Sequence, residues 1–148
     1  MTTTHIAGAA ALLAAALVAG GGAVPAQAAG GYRPARAVDG DTVQLANGRY
    51  VRLLGYDTPE VGQCGYTQAK NLMARLVRDG VKLQHRSGTD RYGRILAYLH
   101  TRDGRDVGTV VLRKGWAVAR YDSRDGYDWH PKEATYHRLD ARNGTITC

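Results

Sequence analysis

The alternation of apolar and polar residues predicts strands first and a helix after them. Short segments at 35–38, 42–45 and 50–54 have strand character, and Asn47-Gly48 predicts a two-residue hairpin turn between the last two. Apolar residues then recur at helical spacing, and this stripe comprises Ala69, Leu72, Met73, Leu76 and Val77. This part of the chain therefore predicts three strands followed by one amphipathic helix.

The pattern continues with strands and then shorter helices. Asp79-Gly80 ends the first helix, and strands are predicted at 81–85 and 95–99. A short helix is predicted over 109–114 and a final one over 131–142. This order predicts an α+β, mainly β domain: a five-stranded barrel with about three attached helices. Because the chain contains no Phe, the barrel is expected to be filled by Leu, Val, Ile and Ala.

The N-terminal segment differs from the rest in having no Asp, Glu, Lys or Arg before Arg33. Residues 6–24 are apolar or glycine, and Ala26-Gln27-Ala28 resembles a signal-peptidase site. Cleavage after Ala28 would leave residues 29–148 as one secreted domain. An uncleaved membrane anchor is the alternative, but glycines interrupt the run, and a spanning helix needs about 20 strongly apolar residues.

The net charge indicates which class of partner the protein binds. The net charge of +7 and the pI near 9.7 favour a polyanion, which could be nucleic acid, anionic cell wall or an acidic glycan. No membrane partner is expected after processing, and we expect a monomer.

In an oxidising compartment, Cys64 and Cys148 are expected to form a disulfide, the alternative being two free thiols.

Three short motifs concentrate the charged residues: "VDGDT" from Val38, "VRLLGYDTPE" from Val51 and "DRYGR" from Asp90. Each alone is typical of ordinary structure, namely a turn, a helix start and an exposed basic turn. The first two motifs flank the predicted hairpin, however, and antiparallel pairing would bring Asp41 and Asp57 together.

The combination suggests a metal-assisted reaction. Asp41, Asp57 and the backbone carbonyl of Thr58 would make a hard oxygen site suited to Ca²⁺, with water completing it. Glu60 could orient or deprotonate an attacking water. Arginines, whose planar guanidinium groups grip phosphate oxygens, stand in the second and third motifs. Such groups are what phosphodiester hydrolysis requires.

These motifs and "VLRKGWA" occur in the order and spacing of the staphylococcal nuclease family, the thermonucleases. The chain resembles that family from about Arg36 to Tyr121. The resemblance implies an OB-fold barrel and a Ca²⁺-dependent nuclease acting on DNA and RNA. It also implies an attack that breaks the bond between phosphorus and the 5′-oxygen, leaving 3′-phosphate products.

Carried over by position, the resemblance assigns the metal site and the water-activating group. Asp41 and Asp57 match the calcium carboxylates, and Thr58 matches the residue whose carbonyl binds calcium. Glu60 matches the proposed general base.

The resemblance also assigns the groups that hold the substrate. Arg52 and Arg94 match the arginines that bind phosphate, and Tyr92 and Tyr121 match aromatic positions that contact the nucleotide. Two features depart from the family pattern. The glutamate is followed only by "VGQCGY" where the type member has a long lysine-rich loop, and Ser123 stands at a second aromatic position.

The main alternative is a non-catalytic OB-type module that binds nucleic acid or an anionic wall polymer. Such a module does not need an acidic cluster, which repels phosphate when no metal is bound, so the nuclease is favoured. Trp116 and Trp129 are expected to be packing residues. Four histidines have no metal-binding spacing and are expected at the surface or in strands: His85, His100, His130 and His137.

Overall fold

The protein is described here by a computed structural model, which covers Met1 and residues 31–33, 35–144 and 146. Nearly all of the predicted leader lies outside these residues, as does Cys148, so processing, secretion and the Cys64–Cys148 pairing stay predictions. Within the same ranges, no helix combines the length and the apolar character that a bilayer crossing needs.

The elements of the described chain follow the predicted order, with three short additions. They are β1 Ala35–Ala37, β2 Thr42–Leu45, β3 Tyr50–Leu53, β4 Tyr56–Asp57, α1 Tyr66–Val77, β5 Val81–Gln84, β6 Ile95–Thr101, α2 Val107–Arg113, β7 Val118–Ala119, a 3₁₀ turn at Ser123–Asp125 and α3 Glu133–Asn143.

Five strands form one curled sheet in the order β1-β2-β3-β6-β5. β3 and β6 run parallel, with Val51 beside Ile95, and the other neighbours are antiparallel. Backbone hydrogen bonds of 2.7 and 2.9 Å between Arg33 and Val81 join the segment before β1 to β5, so the two edges of the sheet approach each other. The predicted α+β, mainly β fold with a five-stranded OB-like barrel and three helices is confirmed.

The hairpin between β2 and β3 has one more loop residue than predicted. Leu45 N–H donates to Arg49 O at 2.9 Å, which leaves three residues in the loop. Gly48 has φ 82°, a left-handed conformation that closes three-residue loops of this kind. Asn47 Oδ1 accepts from Arg49 N–H at 3.2 Å, so the side chain also stabilises the turn.

A second, two-stranded sheet pairs β4 with β7 and was not predicted. Tyr56 lies opposite Ala119, and Asp57 lies opposite Val118. Two-residue strands are too short to show an alternating pattern, so they leave no signal in the sequence. This small sheet fixes the position of Asp57, which follows the predicted hairpin.

The helices cover the curled sheet with their apolar faces. All five residues of the predicted α1 stripe are buried. α2 starts two residues earlier than predicted because Asp106 caps it, its Oδ2 accepting from Thr109 N–H at 2.9 Å. α3 begins at Glu133 rather than at 131.

Aliphatic side chains make up most of the core, as expected, but three tyrosines share it, namely Tyr56, Tyr98 and Tyr136. Tyr56 and Tyr136 are among the largest fully buried side chains, and their rings meet edge to face with centroids 6.2 Å apart. The prediction that aliphatic residues alone fill the interior is therefore wrong, because tyrosine rings supply the volume that Phe would supply elsewhere.

Candidate active site

The site begins with a turn that directs Asp41 into the protein. Asp39 Oδ1 accepts hydrogen bonds from the backbone N–H groups of Asp41 at 3.0 Å and Thr42 at 2.7 Å. Aspartate commonly stabilises a turn through such bonds to the following backbone. The turn leads into β2 and leaves Asp41 buried.

Asp41 is then tied to the segment that follows β4. Its Oδ2 accepts from the backbone N–H of Thr58 at 3.0 Å and from Thr58 Oγ1 at 2.8 Å. Its Oδ1 accepts from Thr42 Oγ1 at 3.1 Å. These bonds bring the first two charged motifs into contact, as the antiparallel hairpin predicted.

Arg52 lies between the two carboxylates. Its Nε is 3.2 Å from Asp41 Oδ1, and its Nη2 is 2.9 Å from Asp57 Oδ1. Its Nη1 donates to the backbone carbonyls of Leu53 at 2.7 Å and Tyr56 at 2.9 Å. A guanidinium has five N–H groups, and four are used here, so Arg52 in this arrangement presents at most one to a phosphate.

The carboxylates carry more negative charge than Arg52 offsets. Burial raises the pKa of Asp57, Arg52 opposes that rise, and the nearby charge of Asp41 adds to it. Burial, followed by the charge of Asp41, also raises the pKa of Asp39. Both shifts are the response of carboxylates that are crowded together and partly removed from water.

The donor set fits a calcium ion. Two side-chain carboxylates and the neighbouring Thr58 backbone offer hard oxygen ligands, and a divalent cation would offset the excess negative charge. In the part of the chain described here, no group of three or more His, Cys, Asp or Glu side chains is arranged to hold a metal. Water would therefore have to complete the coordination, as is common for Ca²⁺.

Arg94, which immediately precedes β6, reaches the same site. Its Nε is 2.6 Å from Asp90 Oδ2, and its Nη1 donates to Thr42 Oγ1 at 3.4 Å. Through Thr42 it is linked to Asp41, a connection that none of the motifs indicated. Fewer of its N–H groups are engaged in these bonds than in the case of Arg52, so Arg94 is better placed to receive phosphate.

The two predicted nucleotide-contacting tyrosines lie beside the two arginines. Tyr92 is 68% exposed, and Arg94 Cζ lies 5.4 Å from its ring centroid. Arg52 Cζ lies 5.4 Å from the ring centroid of Tyr121. Both contacts are within cation–π range, so each ring extends the site outward from a cation.

Glu60 is exposed and stands apart from the hydrogen-bonded cluster. Its backbone N–H donates to Gln63 Oε1 at 2.8 Å. The structure brings together Asp41, Arg52, Asp57 and Thr58, joins Arg94 and Tyr121 to them, and leaves Glu60 facing solvent nearby in the chain. The role of Glu60 as a general base stays a prediction.

Two expectations about other residues are wrong. Trp129 is 68% exposed rather than packed. His130 is buried outside any strand, where its Nδ1 lies 2.6 Å from Tyr98 Oη. The local sequence does not indicate how far either residue is buried, because Trp129 and His130 lie in a loop without a periodic pattern. The sequence alone leaves Tyr127 open between base stacking and an ordinary surface position, and in the structure its exposed ring meets Tyr121.

Comparison with known proteins decides the family. The family model described as staphylococcal nuclease homologue matches residues 50–143. The chain belongs to the staphylococcal nuclease family. The matched range contains Arg52, Asp57, Thr58, Glu60 and Arg94, whereas Asp41 precedes it.

Individual relatives agree with this membership. An uncharacterized endonuclease of Escherichia coli is 31% identical over 62% of this chain and 63% of its own length. Endonuclease YncB of Bacillus subtilis is 35% identical over 71% of this chain and 53% of its own length. The succinoglycan biosynthesis protein ExoI of Rhizobium meliloti is 33% identical over 62% of this chain and 53% of its own length. In each case the match spans less than two thirds of the relative.

Proposed function

We propose that this member of the staphylococcal nuclease family is a secreted Ca²⁺-dependent endonuclease that hydrolyses DNA and RNA and leaves 3′-phosphate ends. The observation that carries the proposal is the pair of carboxylates, Asp41 in the turn before β2 and Asp57 in β4, which Arg52 holds together. Named endonucleases among its relatives support the same reaction.

Each residue would have a distinct task. Asp41, Asp57 and the backbone carbonyl of Thr58 would hold calcium, which when bound would offset phosphate charge and polarise the scissile group. Glu60 would orient or deprotonate the attacking water, and its exposure leaves it accessible to substrate and solvent. Arg94 would bind a phosphate oxygen and stabilise the charge that develops there.

The fixed position of Arg52 suggests a more limited role than a two-pronged phosphate grip. Four of its N–H groups already hold Asp41, Asp57 and two backbone carbonyls. Arg52 would therefore order the two carboxylates and direct one remaining N–H to phosphate. A lysine at this position could not make the same set of bonds.

The test is cutting of single-stranded DNA and of RNA by the full processed protein, with millimolar Ca²⁺ or with chelator, followed by analysis of the product ends. We expect cutting only with Ca²⁺ and 3′-phosphate ends. Tight binding without cutting under every metal tried would instead support the non-catalytic module that binds nucleic acid or wall polymer.

A variant pair tests the base. Glu60→Gln should lower kcat by roughly a hundred-fold or more while nucleic-acid binding stays within about two-fold. The matched control is Asp79→Asn, an exposed acid beyond the end of α1 that pairs with Arg78. Equal turnover in the two variants would remove Glu60 from the mechanism.

A further inference from the structure

A second exposed aromatic ring lies against Tyr121. The rings of Tyr121 and Tyr127 meet at 89°, with centroids 5.3 Å apart. Tyr121 is 38% exposed and Tyr127 is 58% exposed, so both rings keep an open surface. The two residues are six positions apart, and only the path of the intervening chain brings them together.

A buried aspartate, Asp122, anchors the chain between the two tyrosines. Asp122 is fully buried, and its side chain accepts from Arg124 N–H at 2.9 Å and lies 2.6 Å from His137 Nε2. Its backbone carbonyl accepts from Tyr127 N–H at 3.0 Å. The backbone that carries the second ring is therefore anchored to α3, and the ring is exposed on a fixed support.

The departure at Ser123 has a structural explanation in the same loop. Ser123 Oγ donates to Glu133 Oε1 at 2.7 Å, so this side chain points to α3 and stabilises the loop. It cannot at the same time contact a base. The aromatic ring that lies beside Tyr121 is that of Tyr127.

The surroundings of the ring pair suit an anionic strand. Arg52 Cζ and Arg120 Cζ lie 5.4 and 5.7 Å from the Tyr121 ring centroid. Tyr121 itself has φ 61°, an unusual and strained conformation for a residue other than glycine. Its backbone N–H donates to Asp125 Oδ2 at 2.7 Å, which holds the ring in this position.

We propose that Tyr127 supplies a second base-stacking ring next to Tyr121, so that the protein binds two successive bases of single-stranded nucleic acid beside its arginines. The inference rests on the proposed nuclease function and specifies how substrate is held. Aromatic rings on a positively charged surface are how single strands are bound without reading sequence, because every base has a flat face. Bases stacked within a duplex would not be accessible to these rings.

The experiment measures binding by fluorescence anisotropy, with chelator present, to short single-stranded DNA and RNA oligonucleotides. Tyr127→Ala should weaken binding by about ten-fold, the usual effect of losing one base–aromatic stack. Tyr127→Phe should remain within about two-fold of the wild type, since the ring persists. Tyr50→Ala, which removes an exposed tyrosine from β3, is the matched control and should also stay within about two-fold.

A second experiment uses a set of oligonucleotides, each lacking the base at one position. It distinguishes a Tyr127 that stacks on a base of its own from a Tyr127 that only supports the Tyr121 ring. We expect the Tyr127→Ala loss to disappear when one particular base is missing, and the Tyr121→Ala loss to disappear when its neighbour is missing. Loss at the same position in both variants would overturn the proposal, as would equal binding by Tyr127→Ala and Tyr50→Ala. A wild type that binds but does not cut with Ca²⁺ would refute the nuclease function alone.

Discussion

Two buried aspartate clusters in this protein show opposite balances of charge. The site cluster consists of Asp41, Arg52, Asp57 and Thr58. The helix cluster, where α2 and α3 meet β6, consists of Asp106, Thr109, Lys132 and Tyr136. Both combine carboxylate, cation and hydroxyl groups, yet the pKa of the aspartate is lowered in the helix cluster, whereas the pKa of Asp57 is raised.

The helix cluster satisfies its single carboxylate. Asp106 Oδ1 is 2.7 Å from Lys132 Nζ, and its Oδ2 accepts from Thr109 Oγ1 at 2.7 Å and Tyr136 Oη at 2.9 Å. Burial alone would raise the pKa of Asp106, but the bonds to Lys132 and Thr109 outweigh it. In the site cluster, two aspartates share one arginine. One cluster therefore balances its carboxylate with a cation, whereas the other holds one more carboxylate than cation.

The largest expected effect is the loss of cutting when the site cluster loses a carboxylate. Asp57→Asn should lower kcat roughly a thousand-fold, because the metal would lose a ligand. The raised pKa of Asp57 means that its ionised form is disfavoured by folding, so stability should be unchanged or higher. Cutting rates and urea unfolding of the same preparation measure both effects; a large loss of stability would contradict the comparison.

The next effect is on stability, in the helix cluster. Asp106→Asn should lower the free energy of unfolding by about 2 kcal/mol, because the partly buried Lys132 would lose its charged partner. Urea unfolding measures this change. At urea concentrations below the unfolding midpoint, the kcat of Asp106→Asn should stay close to that of the wild type. A thousand-fold loss of kcat would show that the two clusters are not independent.

The effect of calcium on thermal stability should distinguish the two clusters without an activity assay. Calcium at 100 times its Kd should stabilise the wild type by about 2.7 kcal/mol, as expected for a ligand that binds only the folded protein. The shift in thermal unfolding should be lost in Asp57→Asn and kept in Asp106→Asn. An equal shift in both variants would place the calcium site elsewhere.

The smallest expected effect is a loss of stability on mild acidification. Burial, and for His100 also the charge of Lys132, lowers the pKa of His100 and His130. As pH falls through about 6.5, the unfolded chain takes up these protons first, so stability present above that pH declines. Urea unfolding at pH 7.5 and 5.5 measures the decline, and His100→Gln should reduce it. An identical decline in that variant would assign it to other groups.

The sequence predicted best those features that repeat with a period. The α1 stripe, the strands β2 and β3, and the approach of Asp41 to Asp57 all follow from alternation, helical spacing and antiparallel pairing. These patterns record which face of an element is buried. They were sufficient for the fold and for the acidic half of the site.

Features that depend on tertiary neighbours were not predictable. The bonds from Arg52 to the carbonyls of Leu53 and Tyr56 require a particular path of the chain into β4. The contact of Tyr127 with Tyr121 depends on a buried Asp122, and aspartate in a polar loop usually indicates only a turn. A single sequence carries no signal for such arrangements.

The parallel pairing of β3 with β6 also bears on when the protein acquires its activity. Arg52 lies on a strand whose neighbour on one side, β6, is made only after α1 and β5. A nascent chain that ends before Arg94 also lacks β6, so β3 is an unpaired edge of an incomplete sheet. Contacts between distant segments form late in folding because closing the intervening loop costs entropy. A growing polypeptide that has not yet reached β6 is therefore expected to lack the endonuclease activity of the complete sheet.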